Sequence, residues 1–288
     1  MSVRVIPRLD IKGPNLVKGI NFEGLRVLGK PEYFAKHYYE NGADELIYVD
    51  TVASLYGRNS LNHIIERTAR EIFVPLVVGG GLRTLDDIRG ILRAGADKVA
   101  INTAAVQRPE LIREAARTFG SSTIVVSIEA IRKRDGTYEQ YTDYGRERTG
   151  LDAIDWAIRA AELGAGELLV TSINQEGTGK GFDLELTKRI AQSVSVPVVA
   201  SGGAGALNHI SDVVIRGEAD GVSIASMLHY NCARNCELNH HDFCEEGNIE
   251  FLRKGGQGPK IQDASIPEIK EHLRNSGLDC RLQQSDKI

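Results

Sequence analysis

Short apolar runs recur along the chain at intervals of roughly 20 to 45 residues, and between them apolar positions return every three or four residues. The runs are Arg4–Asp10, Glu45–Asp50, Pro75–Val78, Lys98–Ile101, Thr123–Ile128, Glu167–Ser172, Pro197–Ser201 and Gly221–Ala225. Their brevity and their content of Val and Ile predict parallel strands buried on both faces. The intervening periodicity predicts helices over about Pro31–Asn41, from Ser60, from Thr84 with Asp86 and Asp87 to Gly95, and over Pro109–Phe119, Trp156–Leu163, Leu184–Ser193, Leu207–Arg216 and Ile266–Ser276. Lys12–Val27, with Gly13, Pro14 and Gly19, reads as a loop, as does Thr51–Asn59. The Asp135-Gly136 pair before Tyr138–Thr142 predicts a two-stranded flap.

The pattern is duplicated. VPLVVGGG at Val74–Gly81 returns as VPVVASGGAG at Val196–Gly205, with Pro75 and Pro197 separated by 122 positions. GADELIYVD at Gly42–Asp50 matches GAGELLVTS at Gly164–Ser172 at the same offset of 122. GADKVAINT at Gly95–Thr103 matches EADGVSIAS at Glu218–Ser226, offset by 123, and Asp10 corresponds to Glu129 at an offset of 119. Four pairs in one order imply two homologous halves of four strand-plus-helix units. The fold expected is a (β/α)8 TIM barrel built of two half-barrels, one domain over residues 1–288.

Length agrees, since 288 residues exceed the typical barrel of about 250 by roughly one long insertion. The formal charge of −4, without a basic block, argues against a nucleic-acid partner. No apolar run approaches the ~18 residues of a membrane span, and Met1–Asp10 lacks a signal-peptide core, so a cytoplasmic protein is expected. Cys232, Cys236, Cys244 and Cys280 all lie in the last fifth of the chain, too localised for a disulfide framework.

Such barrels carry their chemistry at the C-terminal ends of the strands. Asp10 and Glu129 end the first and fifth strands, which stand opposite in a ring of eight, and two opposed carboxylates suit general acid and base roles. Gly80 and Gly81 after the third strand adjoin Asn102 and Thr103 after the fourth, while Gly202 and Gly203 after the seventh adjoin Ala225 and Ser226 after the eighth. Backbone N–H groups beside a hydroxyl or amide make an anion cradle, and two cradles across one mouth predict a long small-molecule substrate with a phosphate at each end. At the opposite end, Arg4, Glu45, Lys98 and Glu167 stand at strand entrances, where a mixed-charge ring either plugs the barrel floor or gates it.

The run of RLDIKG, VKGINFEGL, GADEL, VVGGG, GADKVAINTAAV, GAGELL and VASGGAG, covering about Arg4–Tyr230, resembles the cyclase subunit of imidazole glycerol phosphate synthase. The resemblance implies a barrel whose N-terminal face docks a separate glutaminase subunit. Ammonia made there would cross the barrel and convert a bisphosphate ribulosyl substrate to imidazole glycerol phosphate and an aminoimidazole carboxamide ribotide. It implies catalysis by Asp10 and Glu129, a substrate-binding Lys18, an ammonia gate of Arg4, Glu45, Lys98 and Glu167, and phosphate binding at the two cradles and at Gly177 and Thr178. No cofactor is implied. A related aminoaldose–ketose isomerase barrel also handles a bisphosphate, but it needs neither ring nor partner and fits the motifs less well.

Departures from that family accompany the matches. Glu129 replaces an aspartate, Arg8 replaces a cysteine, and Asn174-Gln175-Glu176-Gly177-Thr178 stands where Asp-Arg-Asp-Gly-Thr is usual. A surplus of residues, about His229–Ser265, reads as an insertion between the eighth strand and the last helix. With Glu129 it resembles a branch of cyclase-like paralogues that serve as ammonia conduits for acetamidino-sugar formation in surface polysaccharide (lipopolysaccharide) synthesis. His229, Cys232, Cys236, His240, His241 and Cys244 have spacings a zinc could use, but without a CxxC pair the expectation is a reduced, metal-free loop.

Overall fold

The computed structural model describes residues 2–53, 61–235 and 261–282. Its strands are β1 (Arg4–Lys12), β2 (Asn15–Ile20), β3 (Glu23–Gly29), β4 (Leu46–Asp50), β5 (Leu76–Gly79), β6 (Lys98–Ile101), β7 (Ile124–Arg132), β8 (Tyr138–Thr142), β9 (Glu147–Asp152), β10 (Glu167–Ser172), β11 (Val198–Ser201) and β12 (Gly221–Ile224). Eight of them pair in parallel in the order β1, β4, β5, β6, β7, β10, β11, β12, and β12 returns to β1, closing the barrel. Helices occupy most of the crossovers, and their starts follow local chemistry. Thr84 and Asp87 form a capping box, as do Ser265 and Glu268, while the Asp152 and Asp183 side chains accept N–H groups of the helices they precede.

Alternation along each strand sorts the side chains. Ile6, Ile47, Val77, Ala100, Val125, Leu169 and Val199 form an apolar layer inside the barrel. Their neighbours Val5, Leu46, Val78, Val126, Leu168 and Val198 belong to the larger core under the helices. Since Ile6 points inward, Arg4, Arg8 and Asp10 share its side of β1. By the same count Lys98, Ser127, Glu129, Glu167, Thr171 and Ser201 share the interior.

The duplication carries into hydrogen bonding. Asp97 Oδ2 accepts the Leu76 N–H at 2.9 Å, and its repeat counterpart Asp220 accepts the Val198 N–H at 2.8 Å. Each aspartate thereby ties the entrance of one strand to its neighbour. The last helix, Ile266–Asn275, is followed by a bridge between Cys280 and Val3 that secures the start of β1, and buried Lys270 donates to Asp44 at 2.7 Å.

Two segments differ from the sequence expectation. Residues read as a mouth loop form the hairpin β2–β3, with β2 antiparallel to the end of β1. The flap has three strands, because β8 pairs with an extension of β7 and β9 then pairs with β8. Both hairpins are templated by barrel strands that run beyond the barrel rim, so of the glycines that signal a loop Gly13 becomes a turn position and Gly19 lies within β2. The connection after β12 begins with a helix, Ser226–Asn235, which includes the first residues of the expected insertion. Residues 54–60 and 236–260, including Cys236, His240, His241 and Cys244, lie outside the described residues.

Candidate active site

At the strand entrances the four expected charges meet in a closed circuit. Arg4 donates to Glu45 Oε2 at 2.9 Å and to Glu167 Oε1 at 2.6 Å, and Lys98 donates to Glu45 Oε1 at 3.0 Å and to Glu167 Oε2 at 2.7 Å. Burial, then the neighbouring Glu167, pushes the Glu45 carboxyl above its ordinary range despite the two cations. Directly above lies the apolar layer that begins with Ile6.

Above that layer Arg8 crosses the lumen. Its Nε donates to Asp10 Oδ1 at 2.9 Å, and its Nη1 donates to Thr171 Oγ1 at 3.2 Å and Ser201 Oγ at 3.4 Å. The Phe22 ring covers the guanidinium, with its centroid 5.4 Å away. Arg8 is only 2% exposed, and it forms part of the wall of both cavities at the mouth.

The first cavity, about 230 Å³, is lined by Gly80, Gly81, Asn102 and Thr103 together with Ser127, Glu129, Asp143 and Tyr144. It reaches down to Ala100 and Leu169 of the apolar layer. The second, about 10 Å³, is lined by Gly177, Gly202, Gly203, Ala225, Ser226, Glu176 and Ser223. Each expected cradle therefore faces a cavity. Ser223 Oγ is buried without a hydrogen-bond partner among the described residues, a donor and acceptor open to a ligand. Thr178 lines neither cavity, and its hydroxyl donates to the Gln175 carbonyl at 2.7 Å.

The mouth is covered by interlocked turns. Lys18 of β2 is ion-paired with Glu176, both nearly buried, and the Asn21 N–H donates to the Glu176 carbonyl at 2.8 Å. Phe22 packs against Tyr144 in a tilted pair with ring centroids 4.0 Å apart, joined by Ile173 in a small apolar cluster. Phe22 and Tyr144 both hold positive φ, 66° and 58°, conformations that bulky residues rarely adopt outside functional turns. On the first cradle, Asn102 donates to the Tyr141 carbonyl at 3.1 Å and accepts from Gln140 Nε2 at 2.8 Å, while Thr103 Oγ1 accepts the Asp143 N–H at 3.0 Å.

Asp10 and Glu129 both point into the interior, on strands four places apart in the ring, and they are 1% and 5% exposed. Burial would raise the Asp10 carboxyl, but Arg8 and then Lys18 outweigh it and hold it below the ordinary range. Glu129 accepts the Gly145 N–H at 2.9 Å, and burial pushes its carboxyl up to about 7 despite Arg8. Near neutral pH Asp10 is a carboxylate and Glu129 can either hold or release its proton, a pairing that suits proton transfer.

Arg8, Tyr144 and Glu176 are site residues that motif reading did not assign. The even spacing of Arg4, Ile6, Arg8 and Asp10 places Arg8 inward, and that signal was available in the sequence. Glu176 lies in the altered segment after the sixth strand, but nothing there marks it as the partner of Lys18, and nothing local marks Tyr144. His229 packs behind β1, where its Nδ1 meets the Tyr38 hydroxyl at 2.6 Å, and Cys232 is buried. Among the described residues no cluster of His, Cys, Asp and Glu is arranged for a metal, and no helix is long and apolar enough to cross a membrane.

The model of the family described as "Histidine biosynthesis protein" matches residues 4–234. The chain is 59% identical over 210 residues, 73% of its length and 99% of the relative's, to "Imidazole glycerol phosphate synthase subunit HisF" of Legionella pneumophila. It is 49% identical over 231 residues to the protein of that name from Alkaliphilus metalliredigens (strain QYMF), covering 80% of this chain and 92% of the relative. A third protein of that name, from Streptomyces coelicolor, is 50% identical over 238 residues, covering 83% of this chain and 94% of its own.

Proposed function

The chain belongs to the family of histidine biosynthesis proteins, and we propose that within it this chain is the cyclase-type subunit of imidazole glycerol phosphate synthase. It uses ammonia from a glutaminase subunit to convert the bisphosphate ribulosyl-formimino-aminoimidazole carboxamide ribotide to imidazole glycerol phosphate and aminoimidazole carboxamide ribotide. The observation that supports the reading is the pair of interior carboxylates, Asp10 held below and Glu129 pushed above the ordinary carboxylate range, at a mouth that carries two glycine-lined cavities. Ammonia addition, ring closure and C–N cleavage each move protons, and an acid and a base on facing strands supply both directions of transfer.

The phosphates of the substrate occupy the two cradles, one at Gly80, Gly81, Asn102 and Thr103, the other at Gly177, Gly202, Gly203, Ala225 and Ser226. Ammonia enters through the ring of Arg4, Glu45, Lys98 and Glu167, crosses the apolar layer and emerges beside Glu129. The reach of the first cavity down to Ala100 and Leu169 supports that route. The glutaminase docks on the face that carries the ring. Phe73, 81% exposed, lies in the connection into β5, and Ile215, 56% exposed, ends the helix Leu207–Ile215 that precedes β12; exposed apolar side chains on that face favour a protein partner there. The test is conversion of the bisphosphate ribotide with ammonium salt alone, followed by conversion with glutamine once a glutaminase subunit is added.

A further inference from the structure

The two carboxylates of the mouth are alike in chemistry and repeat position, yet their surroundings are not. Asp10 receives the Arg8 Nε–H at 2.9 Å, and Lys18 and the Tyr144 hydroxyl face it as well. Glu129 receives only the Gly145 N–H among hydrogen bonds from described residues. No cation forms an ion pair with Glu129 among the described residues: Arg8 draws its carboxyl down only through space, without a hydrogen bond, and Asp10 and Asp143 face it with like charge. The difference rests on where one guanidinium is held.

Arg8 is not free to divide its attention. Its Nη1 is committed to the hydroxyls of Thr171 and Ser201 on β10 and β11, its Nε to Asp10, and its face is covered by Phe22. A swing toward Glu129 would break all three hydrogen bonds in a buried setting. Arg8 therefore keeps its short contact on Asp10, and a fixed charge-assisted hydrogen bond favours the anion of its acceptor.

We propose that Arg8 is a positioning residue that divides the labour of the two carboxylates: its fixed hydrogen bond holds Asp10 as the anion, the base, while buried Glu129, which has no such bond, is left to carry the proton as the acid. This rests on the acid–base reading given above. In a turnover Asp10 takes one proton from the nitrogen that adds, and Glu129 gives one to the nitrogen that leaves. The two then exchange a proton with solvent and return to the starting state, while Arg8 gives up none. Of the other titratable groups nearby, Lys18 is paired with Glu176, and burial holds His229 neutral, at about 3. Neither replaces Arg8 at Asp10.

The experiment is a carboxyl 13C NMR titration of the full chain, labelled at Asp and Glu, in wild type, Arg8→Gln and Arg8→Lys. In wild type the Asp10 resonance stays that of an anion from about pH 5 to pH 9, and Glu129 titrates near neutrality. In Arg8→Gln the Asp10 midpoint rises by at least about one pH unit, and Arg8→Lys, which restores a cation, reverses most of that rise. The acid limb of kcat/KM with ammonium moves up by the same amount in Arg8→Gln, a change that a merely structural role would not produce. A wild-type Asp10 that titrates near neutrality, or one unmoved by Arg8→Gln, would overturn the proposal. Should Arg8→Gln fail to fold, the wild-type titration decides alone. The titration needs no turnover, so an absent cyclase activity would count against the proposed function and not against this role of Arg8.

Discussion

Lys18, on the hairpin strand that crosses the barrel mouth, is ion-paired with Glu176 in the loop after β10, and both side chains are about 95% buried. The pair joins two loops that a substrate must part to reach the cavities. It also occupies the ammonium that the family resemblance reserves for substrate.

Removing one partner leaves the other buried and uncompensated, which typically costs about 3 kcal/mol or more. Glu176→Gln is therefore expected to lower the unfolding free energy by roughly 3 kcal/mol, measured by denaturant titration. The double replacement Lys18→Met with Glu176→Leu recovers most of that loss. A Glu176→Gln protein as stable as wild type would show that the pair is dispensable to the closed mouth.

Lys98 bridges Glu45 and Glu167 at the barrel entrance, so Lys98→Ala leaves two largely buried carboxylates with Arg4 alone. Turnover driven by glutamine through a glutaminase subunit should fall several-fold, while turnover with saturating ammonium stays near wild type. Phe73→Lys should weaken glutaminase binding by at least about tenfold, since an exposed aromatic is a typical interface anchor. Unchanged glutamine-driven turnover in Lys98→Ala would reduce the ring to a structural plug.

Gly203 has φ of +108°, and a Cβ there would come within 2.1 Å of the Gly181 carbonyl oxygen. Gly203→Ala should therefore displace the second cradle and abolish anion binding at it. Gly136→Ala, at a positive-φ turn with open space around it, should cost only about 1 kcal/mol of stability. Soaking crystals with sulfate or phosphate checks this, with density expected near Gly81 and Thr103 and near Gly203 and Ser226 in wild type, and at the first cradle alone in Gly203→Ala.

The barrel was legible because buried parallel strands announce themselves by composition, and because the repeat tested each assignment against its twin. Lys98–Ile101 and Glu167–Ser172 match the expected bounds, and the other barrel strands agree to within a few residues. The hairpin Asn15–Gly29 and the strand Glu147–Asp152 were not legible. Both are polar or glycine-rich, and pairing to a strand already in place creates them, not local propensity. The same holds in the site. Repetition exposed Asp10, Glu129 and the cradles, whereas the bond from Arg8 to Thr171 spans 163 residues and leaves no local trace.

Glu129 predicts an unusual pH dependence of stability. The unfolded side chain releases its proton near the model-peptide value of about 4.3, while the folded one keeps it to about 7. Between those values the unfolded state gains by ionising, so this group's contribution falls as pH rises and is level above about 7. The difference corresponds to roughly 3 kcal/mol. Glu129→Gln should thus be more stable than wild type by up to about 3 kcal/mol at pH 8 and by little at pH 4. Asp10 acts in the opposite sense: its depressed carboxyl contributes stability that is lost as pH falls through the acid range. Equal pH profiles for wild type and Glu129→Gln would contradict the raised carboxyl.

The claim that this chain is a cyclase is tested most directly by supplying the bisphosphate ribulosyl substrate and ammonium salt to the purified chain, without any partner, and following substrate loss. The account predicts turnover in the ordinary enzyme range, about 1 s⁻¹ or more, abolished in Asp10→Asn and lowered or at best unchanged in Glu129→Asp. A folded protein that binds a glutaminase subunit yet shows no detectable turnover, or one that begins to cyclise only after Glu129→Asp, would contradict it and leave the barrel as an ammonia conduit.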